Sequence, residues 1–459
     1  MKKKNKMKKD VEIIYNSSKL LGFKKKIKSK QNFFLKKILF IAALIILVIK
    51  IYKEKNNTKL NEKEIISEPI VPKKMYKKLE TKFESSEFKY NFRKKYENRK
   101  IFKYNYSYLP YRNMDKSISK KENAEKIFES TGILNFTMLE YYYNNLALYT
   151  SNLNDIHVGF GLDPNYIPIT LVGIVSILET ANKDTYIHFH IIGYNFTFDD
   201  MEKFMKMKEI NKNIDFIFYS TKQSEYDFEA KIQGKTVNIV EYSRLLLPHI
   251  VNGTDKLLSL DSGDILIQKD LTELFYLDLE DNYFAWAIDM NSGRSDGDPY
   301  MINHLYGNAG IILINCTLYR NEDFYMKAYF TSYFTASLIF PYQDLLSILP
   351  FYKIKILPLK YNCKLFFDTD EQMKNKDSRA SYIQEFLDKQ SGNSVRYSLE
   401  EVMEAALDPV IFHYYGLTKI YTISSCNKYI YQFIKYSKLT GFFEIIKKKY
   451  PKPFQNCDH

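Results

Sequence analysis

DKLLSLDSGDILIQKDLTELF, running from Asp255 to Phe275, sets two carboxylates at the end of an apolar run. Leu257, Leu258 and Leu260 read as a short buried strand, and Gly263 permits a sharp turn between Asp261 and Asp264. A second apolar triplet, Ile265 to Ile267, and a helix follow. Carboxylates leaving one tight turn can give a hard divalent ion several oxygens, with phosphate oxygens supplying others. Acidic turns are also common as plain solvated turns, so the meaning of this one rests on its flanks.

Upstream, IHVGFGLD (Ile156 to Asp163) reads as a buried strand, PNYIPITLVGIVSILETAN as a helix and YIHFHIIG as a second strand. A helix near Asp199 to Lys212, a strand IDFIFYS and a helix around Tyr242 to Ile250 continue the alternation up to KLLSLD. Such punctuation predicts an α/β domain with a mostly parallel sheet. Ligands of open α/β sheets bind beyond the carboxyl ends of the strands, and Asp163 and Asp261 both fall at such ends.

In this setting the chain resembles glycosyltransferase family 8, the group that includes glycogenin and bacterial lipooligosaccharide galactosyltransferases. The resemblance covers about Ile156 to Thr422 and rests on separated motifs in order. FGLDPNY is similar to the family's first-strand motif, which implies that Asp163, Asn165 and Tyr166 hold a uridine. EYSRLLLPHI resembles the helix ahead of the metal strand, and Arg244 matches an arginine that reaches the diphosphate. The family's Asp-x-Asp appears here as Asp-x-x-Asp, with Asp264 as its second aspartate and either Asp261 or Ser262 as the first group.

YFAWAIDMN brings Asp289 toward the cleft, and GNAGIILIN resembles the strand whose Asn308, Ala309 and Gly310 face the donor sugar. In PYQDLLSIL, Gln343 and Asp344 match the end of the family's DQD element, while Tyr342 replaces its first aspartate; KIKILPLKYN resembles the closing strand and loop. FHYYGLTK resembles the HxxGxxK element, in which His413 would complete the metal site, Gly416 would let the backbone approach the diphosphate and Lys419 would neutralise a phosphate oxygen. The resemblance implies a GT-A type nucleotide-sugar-binding fold and a retaining transferase. A UDP-sugar would be the donor, Mn²⁺ or Mg²⁺ the ion, and a glycan, glycoprotein or glycolipid the acceptor. Gln343, Asp344 and Asp289 are the candidate catalytic residues. The alternative is an inactive UDP-sugar-binding or scaffold protein of the same fold, favoured by the altered spacing and by Tyr342.

Charge separates the chain into parts. Of its 459 residues and formal net charge of +13, residues 1–59 hold 18 lysines and three acidic groups, leaving 49 basic and 51 acidic groups in the remaining 400 residues. No basic stripe is left for a folded nucleic-acid-binding domain. Residues 33–52 carry an uninterrupted apolar run from Ile38 to Ile49 with lysines at its ends, a candidate single transmembrane helix. The lysine-rich 1–32 would stay in the cytosol, giving a type II membrane protein whose remainder faces a Golgi or ER lumen if the source is eukaryotic. The organisation read from these features is a basic tail (1–32), an anchor (33–52), a stem that packs partly on the domain (53–153), a catalytic domain (154–425) and an extension (426–459). The four cysteines form no CxxC pair; Cys426 and Cys457 would either pin the extension by a bridge or remain free thiols.

Overall fold

The computed structural model describes residues 109–144, 154–221, 229–232, 235–238, 242–289, 306–328, 340–350, 353–364, 381, 383–384, 397–415, 419–423 and 426–457. The expected tail at 1–32 and anchor at 33–52 lie outside the described residues. Among those described, no helix is long and apolar enough to cross a membrane.

The described part of 53–153 contributes to the sheet. It forms helix α1 (Lys120–Thr131), strand β1 (Ile133–Asn135) and helix α2 (Phe136–Asn144). Two βαβ units follow: β2 (Asn154–Leu162), α3 (Ile167–Thr180), β3 (Thr185–Gly193), α4 (Phe198–Met205) and β4 (Ile214–Ser220). The helix expected over Asp199 to Lys212 starts on a capping box between Thr197 and Asp200. It tightens into a 3-10 turn at Lys206–Glu209, before Asn211 and Asn213, residues that favour turns. Next come the hairpin β5 (Glu229–Ile232) and β6 (Lys235–Asn238), helix α5 (Ser243–Ile250), β7 (Lys256–Leu260), β8 (Ile265–Ile267), β9 (Phe284–Ile288) and β10 (Gly307–Asn315). Helix α6 (Pro341–Ile348), β11 (Ile354–Ile356), α7 (Leu399–Leu407), β12 (Ile411–His413), α8 (Lys428–Leu439), α9 (Phe443–Lys449) and α10 (Lys452–Gln455) follow.

Eight strands form the main sheet in the order β1-β4-β3-β2-β7-β10-β9-β11. β4, β3, β2 and β7 are mutually parallel, β10 is antiparallel to both of its neighbours, and β11 is parallel to β9. The chain steps outward from β2 to β3 and β4, then returns to the other side of β2 as β7. The strand order reverses between β2 and β7, and the carboxyl ends of strands at such a switch point are where α/β sheets bind ligands. Asp163 follows β2 and Asp261 follows β7, so both face this switch point.

Both faces of the sheet are covered, as parallel sheets require. Along β10, Ile311 and Leu313 join an apolar cluster with α3 and α4, while Ile312 and Ile314 join a separate one with α5 and α6. That split is the two-residue alternation of a strand. Phe136 of α2 is wholly buried against Phe198 and Phe218, so residues before 154 help close the first cluster. Cys426 and Cys457 are joined by a disulfide, while Cys316 and Cys363 are buried and take part in no disulfide among the described residues.

Candidate active site

The turn after β7 needs its glycine. Gly263 has φ +94°, in the left-handed region, and a β-carbon there would stand 2.6 Å from Cγ2 of Ile169 on α3. The turn leaves the Asp261 side chain 31% exposed and buries Asp264. Antiparallel pairing of β12 with β8 sets His413 opposite Ile265, the residue after Asp264. One possible ligand atom from each of Asp261, Asp264 and His413 lies within 4.8 Å of the others. The hydroxyl of Ser262 instead donates to the Gly161 carbonyl at 3.3 Å, so Asp261 spans the longer spacing.

A chain of amides orients the imidazole. The backbone N–H of Gly310 donates to Oδ1 of Asn308 at 3.0 Å, and Nδ2 of Asn362 donates to the same oxygen at 2.9 Å. Oδ1 of Asn362 therefore faces Nδ1 of His413, 2.9 Å away, and can only accept. Nδ1 carries the proton and Nε2 keeps its lone pair. Nε2 is buried with no hydrogen-bond partner among the described residues, and Oδ2 of Asp261 is 3.3 Å from it. Two acceptors facing each other, one of them buried, repel unless a cation lies between them. The donor set, one imidazole nitrogen and two carboxylates, thus fits a divalent ion. Gly310 lets the ring lie against β10, because a β-carbon there would meet His413 Cε1 at 2.0 Å.

Two cations bracket the carboxylates. Arg244, buried on α5, donates from Nη1 to Asp261, from Nε to Ser259 Oγ at 3.0 Å and from Nη2 to the Ala309 carbonyl at 3.0 Å. Its guanidinium lies 4.9 Å from the centre of the Tyr342 ring. Gly161 gives it room, since a β-carbon there would stand 2.6 Å from Arg244 Cγ. Lys419 is ion-paired with Asp264. Burial would raise the pKa of Asp261, but the Arg244 guanidinium, with Lys419 adding to it, holds it below the carboxylate range. Burial and then the charge of Asp261 push Asp264 up, against the pull of Lys419. Burial would lower the pKa of Lys419, yet Asp264 and Asp261 raise it.

Across β10 lies the other half of the site. Gln343 on α6 donates from Nε2 to Oδ2 of Asp289 at 2.8 Å and accepts from the Ala309 N–H at 2.9 Å. Asn308 donates to the same Asp289 oxygen at 3.4 Å. His413, Asn362, Asn308, Asp289 and Gln343 are therefore linked by side-chain hydrogen bonds. Asp344, also expected here, is wholly buried, accepting from the Tyr306 hydroxyl at 2.6 Å and the Phe340 N–H at 3.1 Å. It anchors the start of α6. Asp163 caps the turn Pro164–Tyr166, accepting from the Asn165 N–H at 2.7 Å, and leaves Asn165 and Tyr166 exposed. Gly416 lies outside the described residues. Asn362 was legible only as part of a closing loop, because an amide has no signature until the ring it orients is beside it.

The paired carboxylates and the imidazole thus meet at the switch point of an α/β sheet. A sequence model described as Glycosyl transferase family 8 matches residues 157–420, and the chain belongs to that family. It is 27% identical over 272 residues to an Escherichia coli protein named lipopolysaccharide 1,2-glucosyltransferase, covering 57% of this chain and 72% of that protein. It is 20% identical to "Probable galacturonosyltransferase-like 4" of Arabidopsis thaliana, covering 39% of this chain and 54% of that one. Among solved structures, the WbbM bifunctional glycosyltransferase in its apo form is similar in fold, with a TM-score of 0.50 at 18% identity. That similarity covers 67% of this chain and 54% of the other, so the chain spans little more than half of two of these three relatives.

Proposed function

We propose that this family 8 glycosyltransferase moves a sugar from a UDP-sugar to a glycan, glycoprotein or glycolipid acceptor, with retention at the anomeric carbon. Asp261, Asp264 and His413 would hold a Mn²⁺ or Mg²⁺ ion. The observation that carries the reading is the buried Nε2 of His413, with no hydrogen-bond partner among the described residues, facing the Asp261 carboxylate beside Asp264. When bound, the ion supplies neutralisation of the diphosphate that leaves with the nucleotide. Lys419 adds a point charge for a phosphate oxygen, and the turn Asp163 to Tyr166 receives the uridine. Arg244 keeps Asp261 ionised and ties it to the Ala309 carbonyl on the sugar side.

Gln343 is held at both ends, by the Ala309 N–H and by Asp289, and so is kept in one orientation beside the sugar. An amide is a weak nucleophile, so its role is to stabilise the oxocarbenium-like state electrostatically. The non-catalytic alternative rests on the Asp-x-x-Asp spacing and on Tyr342; Asp261 lying within reach of Asp264 and His413 supports the catalytic reading on the first of these. The test is a panel of UDP-sugars incubated with the full chain and Mn²⁺, scored for released UDP. Turnover should require the metal and fall roughly 100-fold or more in Asp264→Asn, with a drop in kcat for Gln343→Ala. Metal-independent release, or full turnover in Asp264→Asn, would refute the reading.

A further inference from the structure

The segment after residue 425 reaches both sides of the nucleotide site. Cys426 and Cys457 close it into a loop containing α8, α9 and α10. α8 is fastened beneath the site, where Tyr429 stacks on Phe412, the neighbour of His413, at 3.9 Å between ring centres. From that base α9 runs to Lys449, whose Nζ donates to the Asn165 carbonyl at 2.6 Å, within the turn that follows β2. The next residue, Tyr450, packs its ring 4.6 Å from that of Tyr421, two residues beyond the Lys419 that pairs with Asp264. Lys449 and Tyr450 thus join two parts of the site that lie far apart in sequence.

Simple packing of a tail does not require this arrangement. Lys449 is exposed, and an exposed lysine held to one backbone carbonyl adds little to stability. Tyr450 lies among Tyr421, Tyr166 and Asp163; burial and then these neighbours push its phenol up to about 12. Tyr166 itself is 43% exposed, leaving an aromatic face open beside the turn. Three tyrosines and a lysine around one turn provide stacking surfaces and a cation for a nucleotide base and its phosphates.

We propose that the disulfide-closed segment 426–457 is a wall of the donor nucleotide site, with Lys449 and Tyr450 clamping the Asp163–Tyr166 turn to the Lys419–Tyr421 segment. The inference rests on the nucleotide-sugar reading above and adds residues which that reading does not use. Calorimetric titration of UDP into the full chain at saturating Mn²⁺ tests it, alongside titration of Mn²⁺ alone. Lys449→Ala and Tyr450→Ala should each raise the Kd for UDP about fivefold or more, with Mn²⁺ affinity unchanged. Tyr450→Phe, which keeps the ring, should bind like wild type, and Cys426→Ser/Cys457→Ser should weaken UDP as the alanine variants do. Lys449→Ala removes an exposed side chain, so it reports even if the tyrosine variant unfolds. Wild-type UDP affinity in both alanine variants would overturn the proposal and leave the segment as packing alone. A wild-type chain that takes up Mn²⁺ but no UDP would overturn the nucleotide-sugar reading together with it.

Discussion

Asn362 determines which nitrogen of His413 faces Asp261. Its oxygen is committed to Nδ1 because its nitrogen is committed to Asn308, and Asn308 is fixed by the Gly310 N–H. A partner of this kind fixes both the tautomer and the ring orientation of a ligating histidine, and its loss typically weakens metal binding by about 10–100-fold. Asn362→Ala should show a loss of that size in Mn²⁺ affinity, read from the electron paramagnetic resonance signal of free Mn²⁺. Wild-type affinity in that variant would mean that Asn362 is only a packing residue. Arg244 shows the same dependence on neighbours. The motif around it implies a reach to the diphosphate, and the folded chain also sets it against Asp261, Ser259 and Ala309. Nothing in EYSRLLLPHI shows that Gly161, far upstream, clears the space for it.

Strands β2 and β3 carry a second polar feature, apart from the ligand groups. Nδ1 of His157 is 2.9 Å from Nε2 of His190, whose Nδ1 is 2.9 Å from the Tyr219 hydroxyl, and His188 stacks on His157. Burial, and then His188, lower the pKa of His157 to about 3; burial and the two neighbouring imidazoles hold His190 well below its ordinary range. An unfolded chain would protonate both near pH ~6.5. The stability tied to neutral imidazoles is therefore full above that pH and is lost as pH falls toward 3, where His157 charges in the fold as well. The melting temperature should drop between pH 7 and pH 5, before most carboxylates titrate, and His157→Gln should shallow that drop. Equal slopes for the variant and the wild type would contradict the assignment.

Much of the molecule's plan was legible because it is local. Apolar strands that end on Asp163 and Asp261, each with a helix nearby, announce an α/β sheet and the edge at which it binds. The parts that were not legible depend on contacts distant in sequence. β1 has three residues inside a polar stretch, and only pairing with β4 makes it an edge strand. Whether Asp261 or Ser262 stood beside Asp264 waited on the direction of a turn, and the disulfide waited on α8 to α10 folding Cys457 back to Cys426. Asp344 matched a motif by position, while its burial under Tyr306 is a property of packing.

Three side chains from two distant segments, sharing one cation, carry the account. The direct test is crystallographic: full-length protein with Mn²⁺ and UDP, with anomalous data collected at the manganese edge. One strong anomalous peak within bonding distance of an Asp261 or Asp264 oxygen and of His413 Nε2 is the expected result. Manganese bound elsewhere, or UDP ordered at the β2–β7 switch point with no peak among these residues, would contradict it.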